Sequence, residues 1–224
     1  MKTIIFSDLH SNFPVLEELT NVEKNVDKWI SAGDAIGIFP FINETLDLMH
    51  ELNVTSVLGD HEDALLNNKT LPQSFTATES IRKQISEISS RNLAYLHTWK
   101  KFEKIIIDGS TIGIIHNVND SNQEKYLIDF EECTHKYAEF KYIIFGHTHF
   151  PTLYSNNSLN FLNPGSLGFP VSNRRKYSYI VLENGNFSIR EFIIDNTKLI
   201  NRILETGYNR KYIDYLEAGF VWPM

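Results

Sequence analysis

The sequence predicts an α/β fold, a four-layer sandwich in which two mixed β-sheets pack together between flanking helices. Two observations carry this. Residues 1–58 alternate short apolar runs with amphipathic stretches in a βαβαβ order, which calls for parallel strands joined by right-handed crossovers. Later residues instead pair apolar runs across two-residue turns, Asp108-Gly109 and Asn184-Gly185, the signature of antiparallel hairpins.

Taken in order, Thr3–Phe6 reads as a buried strand. Residues 14–26 read as a helix, with Pro14 suited to its first turn and Val15, Leu16, Leu19 and Val22 near helical spacing. Strands are expected at 29–32 and 54–58, around a helix at 41–52. Residues 62–100 are polar and helical, with two helices expected at about 62–68 and 77–90, broken at Leu71-Pro72. This stretch reads as an insertion that caps the strand ends, and Ile81, Ile85 and Ile88 offer it an inward face. A hairpin over 104–107 and 111–115 comes next, then a helix at 129–139 and strands at 142–145, 151–155 and 159–162. The last hairpin spans 177–182 and 186–193, and a helical tail occupies about 195–216. The whole, residues 1–224, is expected to be one domain, with 62–100 as a cap and 195–224 as a C-terminal tail.

A chain of 224 residues, 42% hydrophobic and 22% charged, has the composition of a globular protein and not of a disordered one. Its formal net charge of -7 disfavours a non-specific nucleic-acid binder, which needs a basic face. The single cysteine, Cys133, excludes an internal disulfide and any multi-cysteine zinc site. No apolar run approaches the roughly 20 residues that span a bilayer, and Lys2-Thr3-Ile4-Ile5-Phe6 does not read as a leader. A cytoplasmic protein without membrane contact is expected.

The chemistry lies in where the apolar runs end. Ile4-Ile5-Phe6 leads to Asp8 and His10, and Trp29-Ile30 to Gly33-Asp34. Val57-Leu58 leads to Gly59-Asp60-His61, Ile112–Ile115 to His116, and Ile143-Ile144-Phe145 to Gly146-His147-Thr148-His149. Singly, each has a bland reading: a turn, a helix N-terminus capped by Asp60, a hydrogen-bonded core histidine. Open α/β sheets, however, bind ligands beyond the carboxyl ends of their strands. There eight Asp and His side chains would converge, and so much buried charge needs partners. Two divalent cations are the simplest. Imidazole with carboxylate suits Mn, Fe, Zn, Ni or Co better than Mg or Ca, and on an extended segment His147 and His149 would point the same way.

These motifs, with Asn163-Pro164-Gly165-Ser166, resemble the calcineurin-like metallophosphoesterases, in particular a bacterial phosphodiesterase branch, over about residues 1–190. The resemblance implies a sandwich of two sheets flanked by helices and a dinuclear centre that hydrolyses phosphodiesters or phosphomonoesters through a metal-bridging hydroxide. Carried over, Asp8, His10 and His149 would hold one metal, Asp34 would bridge, and Asp60, His116 and His147 would hold the second. His61 would face the substrate, protonating the leaving oxygen or stabilising the phosphoryl oxygens. Glu62 would stand behind, orienting His61. The family usually has Asn where Asp60 stands, so this chain exchanges an amide donor for a negative charge.

Other groups are weaker candidates. Arg174 and Arg175 suit bidentate phosphate contact, or are simply solvated. Asn12 could donate to phosphate or cap the helix behind it. His50, His97 and His135 read as solvated or capping residues. The aromatic tail, Tyr208, Tyr212, Tyr215, Phe220 and Trp222, reads as a packing stripe or a dimer contact, which leaves a homo-oligomer open. The competing functional classes are a catalytically weak, metal-binding interaction scaffold of the same fold and a nuclease. A small phosphorylated molecule is the expected substrate.

Overall fold

Apolar residues alternate along the first strand so that Ile4 and Phe6 face one way and Ile5 the other, and all three are fully buried. A strand apolar on both faces needs a layer on each side. The computed structural model supplies both; it describes residues 1–71, 74–119, 128–156, 159–171 and 176–218.

Chain order runs β1 (Lys2–Phe6), α1 (Phe13–Val22), β2 (Lys28–Ser31), α2 (Ile42–Glu51), β3 (Thr55–Ser56), α3 (Asp60–Asn67), α4 (Phe75–Glu87) and α5 (Ser90–Leu96). It continues with β4 (Phe102–Ile107), β5 (Ser110–Ile115), α6 (Phe130–Lys136), β6 (Tyr142–Ile144), β7 (Pro151–Asn156) and β8 (Leu159–Pro164). β9 (Tyr177–Glu183), β10 (Asn186–Phe192), α7 (Thr197–Thr206) and α8 (Lys211–Ala218) close it.

The strands form two five-stranded mixed sheets, ordered β10-β9-β1-β2-β3 and β4-β5-β6-β8-β7. In the first, β1, β2 and β3 are parallel and β9 runs against β1; in the second, β5, β6 and β8 are parallel. Between the sheets lies an aliphatic core, with Ile5, Ile30 and Ile180 from one side meeting Ile112, Ile114 and Ile144 from the other. The outer face of the first sheet packs on α1 to α5 through Phe6, Leu16, Leu46, Ile81, Leu96 and Trp99. The outer face of the second packs on α6 through Cys133, Tyr137, Phe145 and Phe161. This is the expected four-layer sandwich. None of the described helices is long and apolar enough to cross a membrane.

Several boundaries differ from the sequence reading. α1 stops at Val22, not residue 26, because the chain turns through a left-handed Asn25. The strand expected over 54–58 shortens to Thr55–Ser56, since Val57 leaves the β2 ladder for an isolated bridge to Lys100. α3 ends at Asn67 with a left-handed Asn68, ahead of the Leu71-Pro72 break, and Pro72 lies outside the described residues. The stretch 77–90 becomes two helices: Ile88 is extended and the Ser89 side chain accepts from Asn92 N–H, starting α5. The inward face of α4 is Ala77, Ile81 and Gln84, while Ile85 is 40% exposed. Both hairpin turns are as read: Asp108-Gly109 and Asn184-Gly185 have positive φ at both residues, as a type I′ turn requires. Tyr208, Tyr212 and Tyr215 are buried against Phe39 and Phe41, so this part of the tail is a packing stripe; Phe220 and Trp222 lie outside the described residues.

Candidate metal centre

Parallel strands end at the same edge, so the loops after β1, β2, β3, β5 and β6 meet there. Asp8, His10 and His149 offer ligand atoms within 4.8 Å of one another, and so do Asp60, His116 and His147. Asp34 stands between the triads, grouped with Asp8 and His116 on one side and with His10 and His61 on the other. Asp8, His10, Asp34 and His116 are all buried, at 0 to 4% exposure. No Lys or Arg side chain makes an ion pair with these carboxylates among the described residues.

Hydrogen bonds to the backbone decide which ring nitrogen faces the centre. A carbonyl can only accept, so His149 Nδ1 donates to Phe169 O at 2.6 Å, His116 Nδ1 to Ala32 O at 2.8 Å and His10 Nδ1 to Ile36 O at 3.3 Å. In a neutral ring the other nitrogen is then a bare lone pair. His10 Nε2 and His149 Nε2 face each other at 3.2 Å, His149 Nε2 lies 3.2 Å from Asp8 Oδ1, and His116 Nε2 lies 3.3 Å from Asp34 Oδ2. Lone pairs opposed at such distances repel unless a cation sits among them. The residues therefore fit divalent metal ions, and the mixed imidazole–carboxylate donor set suits a transition metal.

Without metal, protons take that part. Burial alone would raise Asp34 and Asp8, yet the His116 ring beside Asp34 holds it well below the carboxylate range, and His149 lowers Asp8. His116 rises well above the usual histidine value and His149 rises too, because the carboxylates outweigh burial. Burial pushes His10 and His61 down, reinforced for His10 by the neighbouring histidines.

The calcineurin-like phosphoesterase superfamily domain profile matches residues 1–186. The chain belongs to that superfamily. An uncharacterised protein of Methanocaldococcus jannaschii is 27% identical over 209 residues, covering 83% of this chain and 84% of its own. A metallophosphoesterase from Sphaerobacter thermophilus superposes with a TM-score of 0.79 at 21% identity, over 98% of this chain and 100% of that one. A hypothetical protein of Pyrococcus horikoshii OT3 superposes with a TM-score of 0.80 at 16% identity, over 96% and 97%.

In this member of the superfamily the loops are strained. Asp8, His10, Asp34, His147 and His149 all have positive φ, between 50° and 66°, a conformation L-residues avoid. The segment 147–149 is therefore not extended, contrary to the sequence reading. The side chains part, His147 Nδ1 lying 3.0 Å from Asp60 Oδ2 while His149 turns to Asp8. Gly59 has no space for a side chain: a Cβ there would fall 2.2 Å from Asp34 Oδ1.

Glu62 does not orient His61. Its buried carboxylate accepts from the N–H groups of Asp34 at 3.0 Å, Ile36 at 3.0 Å and Gly59 at 2.7 Å, tying together the loops after β2 and β3. Burial and the Asp34 carboxylate push Glu62 up to about 7 against those donors. The N-cap of α3 is Gly59, not Asp60, whose side chain is left for His147. His61 Nε2 lies 3.9 Å from Asp34 Oδ2, its backbone N–H donates to Asp34 Oδ1 at 2.9 Å, and its Nδ1 has no hydrogen-bond partner among the described residues.

Asn12 is fully buried and donates to Gly168 O at 2.9 Å. It ties the first of the site's loops to the segment after β8 and makes no side-chain cap on α1. Arg174 and Arg175 lie outside the described residues. The Asn163–Ser166 motif grips the site from behind: Asn163 Nδ2 donates to Gly146 O at 2.9 Å and Ser166 Oγ to Asp8 O at 2.8 Å. Sequence reasoning missed Gln84, which is fully buried and accepts from Gly37 N–H at 2.9 Å, while its two amide N–H groups lie within reach of Gly37 O, Phe39 O and Ser11 Oγ. Nothing in a polar helical sequence distinguishes it from a solvated glutamine.

Proposed function

We propose that the chain is a dinuclear metal-dependent phosphoesterase, with Asp8, His10 and His149 at one ion, Asp60, His116 and His147 at the other, and Asp34 shared. The observation that carries this is the set of imidazole lone pairs, each aimed by a backbone carbonyl at a carboxylate or at another lone pair. Two divalent ions held there activate water and neutralise charge on a phosphoryl group. The chain's own residues do the rest. The carbonyls hold the rings in one tautomer, Glu62 holds the loops carrying Asp34 and Asp60, and the strained loops keep both triads assembled without ligand. His61, depressed by burial and so neutral at pH 7, meets a phosphoryl or leaving oxygen as an N–H donor.

A small phosphodiester is the first substrate to expect, from the Asn163–Ser166 motif; a phosphomonoester is the second. The cap, α3 to α5, walls the site on the His61 side and sets substrate size, because α4 reaches the loop beside His61 through Gln84. The ions are Mn, Fe, Ni or Zn, and the compartment is the cytoplasm. Elemental analysis should find about two transition-metal ions per chain. Turnover of a chromogenic diester should vanish with chelator and return with Mn2+. Full activity in excess chelator by a metal-free protein would refute the proposal, and stoichiometric metal without turnover of any diester or monoester would favour an interaction scaffold.

A further inference from the structure

The C-terminal helices lie beyond the residues that the superfamily profile matches, yet they reach the ligand shell. Tyr215 of α8 stacks on Phe169, with centroids 4.0 Å apart at 22°. Tyr212 meets Phe169 edge-on at 6.1 Å and Phe39 at 5.6 Å. Phe169 and Phe39 touch both histidines of one triad. The Phe169 carbonyl accepts from His149 Nδ1 at 2.6 Å, and its ring stands edge-on to His149 at 6.1 Å and to His10 at 6.2 Å. Phe39 N–H donates to His10 O at 3.0 Å.

Phe169 belongs to no strand or helix, so no ladder holds its carbonyl in place. One bond, from its N–H to Ser166 Oγ at 2.7 Å, fixes one side of the residue. The ring is the other handle, and α8 holds it by a near-parallel stack. The arrangement is one-sided. The rings of the second triad take their orientation from other groups, His116 from Ala32 O and His147 from Asp60.

We infer that Tyr215, supported by Tyr212, is a positioning residue for the Asp8–His10–His149 metal position. By clamping Phe169, the tail keeps the carbonyl that aims His149 Nε2 at Asp8. The inference rests on the metal reading above and adds that the two metal positions depend unequally on the C-terminal tail.

The test separates the positions. Mn2+ is titrated calorimetrically into full-length protein carrying His116→Asn, which spoils the second triad, and into protein carrying His10→Asn, which spoils the first. Each is made with Tyr215 intact, as Tyr215→Leu and as Tyr215→Phe. Losing a partner that orients a ligand costs about 10- to 100-fold in metal affinity. Here the carbonyl remains and only its hold is lost, so Tyr215→Leu should weaken Mn2+ binding by about tenfold in the His116→Asn protein. The His10→Asn protein should show no change. Tyr215→Phe, which keeps the stack, should restore binding. Leu46→Ala, a core cavity in α2 away from Phe169, serves as a control for loss of stability alone and should leave the affinity unchanged.

Equal weakening at both positions, or no weakening in the His116→Asn protein, overturns the inference. So does weakening by Leu46→Ala to the same degree, or failure of Tyr215→Phe to rescue. Unmutated protein that takes up no Mn2+ instead overturns the metal reading, and this inference with it.

Discussion

At the scale of single residues, two carboxylates do opposite work. Asp60 stands where the family resemblance leads one to expect Asn, and its side chain is 29% exposed. With Asp8, Asp34 and Asp60 ionised, the ligand set carries three negative charges against two divalent ions. Asp60→Asn removes one of them and adds a donor. A charge-assisted hydrogen bond is worth ~1.5–3 kcal/mol, so kcat/KM on a simple phosphodiester should rise about tenfold or more with Mn2+. Steady-state assays with Mn, Ni, Zn and Fe, alongside metal content, check this; a fall with every metal at full occupancy would show that the carboxylate is an adaptation. Glu23 is structural. It ends α1 and receives Lys2 at 2.8 Å, Arg190 at 2.7 Å and the Tyr179 hydroxyl at 2.6 Å. Burial would raise it, but these donors together hold it below the ordinary glutamate value. Its stabilisation is therefore complete above the unfolded-state pKa and lost as pH falls through the lower folded value. Glu23→Gln should cost about 1–3 kcal/mol at pH 7, discounted because Lys2 and Arg190 are partly exposed. The gap in Tm between the two proteins should narrow as melts are taken from pH 5 toward pH 3.

At the scale of elements, α4 shows how a polar helix becomes part of a site. Its buried stripe, Ala77, Ile81 and Gln84, sets an amide where an apolar residue would be expected, and that amide satisfies the backbone at Gly37 and Phe39. Gly37 has to be glycine: φ is +115°, and a Cβ would fall 1.9 Å from His61 Nδ1. Gln84→Leu would keep the volume but strand several buried backbone groups, each worth roughly 1–3 kcal/mol. A loss of about 3 kcal/mol in chemical denaturation is expected, and a fall of roughly 6–12 °C in Tm. An unchanged melt would mean that α4 does not hold the loop. α7 and the loop after it also take hold of α4, with Lys83 donating to Thr206 O and Tyr208 to Glu87 at 2.7 Å.

At the scale of the whole molecule, the centre is a joint between sheets. Asp8, Asp34 and Asp60 follow strands of the first sheet, while His116, His147 and His149 follow strands of the second. Any ion held by both groups binds only the assembled sandwich, so metal and folding are linked. At a free concentration of 100 times Kd, one ion adds about 2.7 kcal/mol. That should raise Tm by about 5–10 °C in a chain of this length, with a similar increment for a second ion. Melts of chelated protein with and without Mn2+ read this directly. A Tm indifferent to Mn2+ would show that Mn2+ does not bind the folded chain in preference to the unfolded one, against the link drawn here.

The convergence of these Asp and His residues was legible in the sequence because each follows a short apolar run, and parallel strands must end at a common edge. The sandwich was legible for a related reason: βαβ periodicity and the Asp-Gly and Asn-Gly turns act over a few residues. What tertiary structure decided acts between segments far apart in the chain. Glu62 gathers the amides of two loops, Gln84 reaches back to Gly37, and the Phe169 carbonyl orients His149, pairings that no local pattern encodes. The parting of His147 and His149 belongs to the same class. Their left-handed backbone is paid for by contacts such as the His147 N–H on Asp8, 139 residues away.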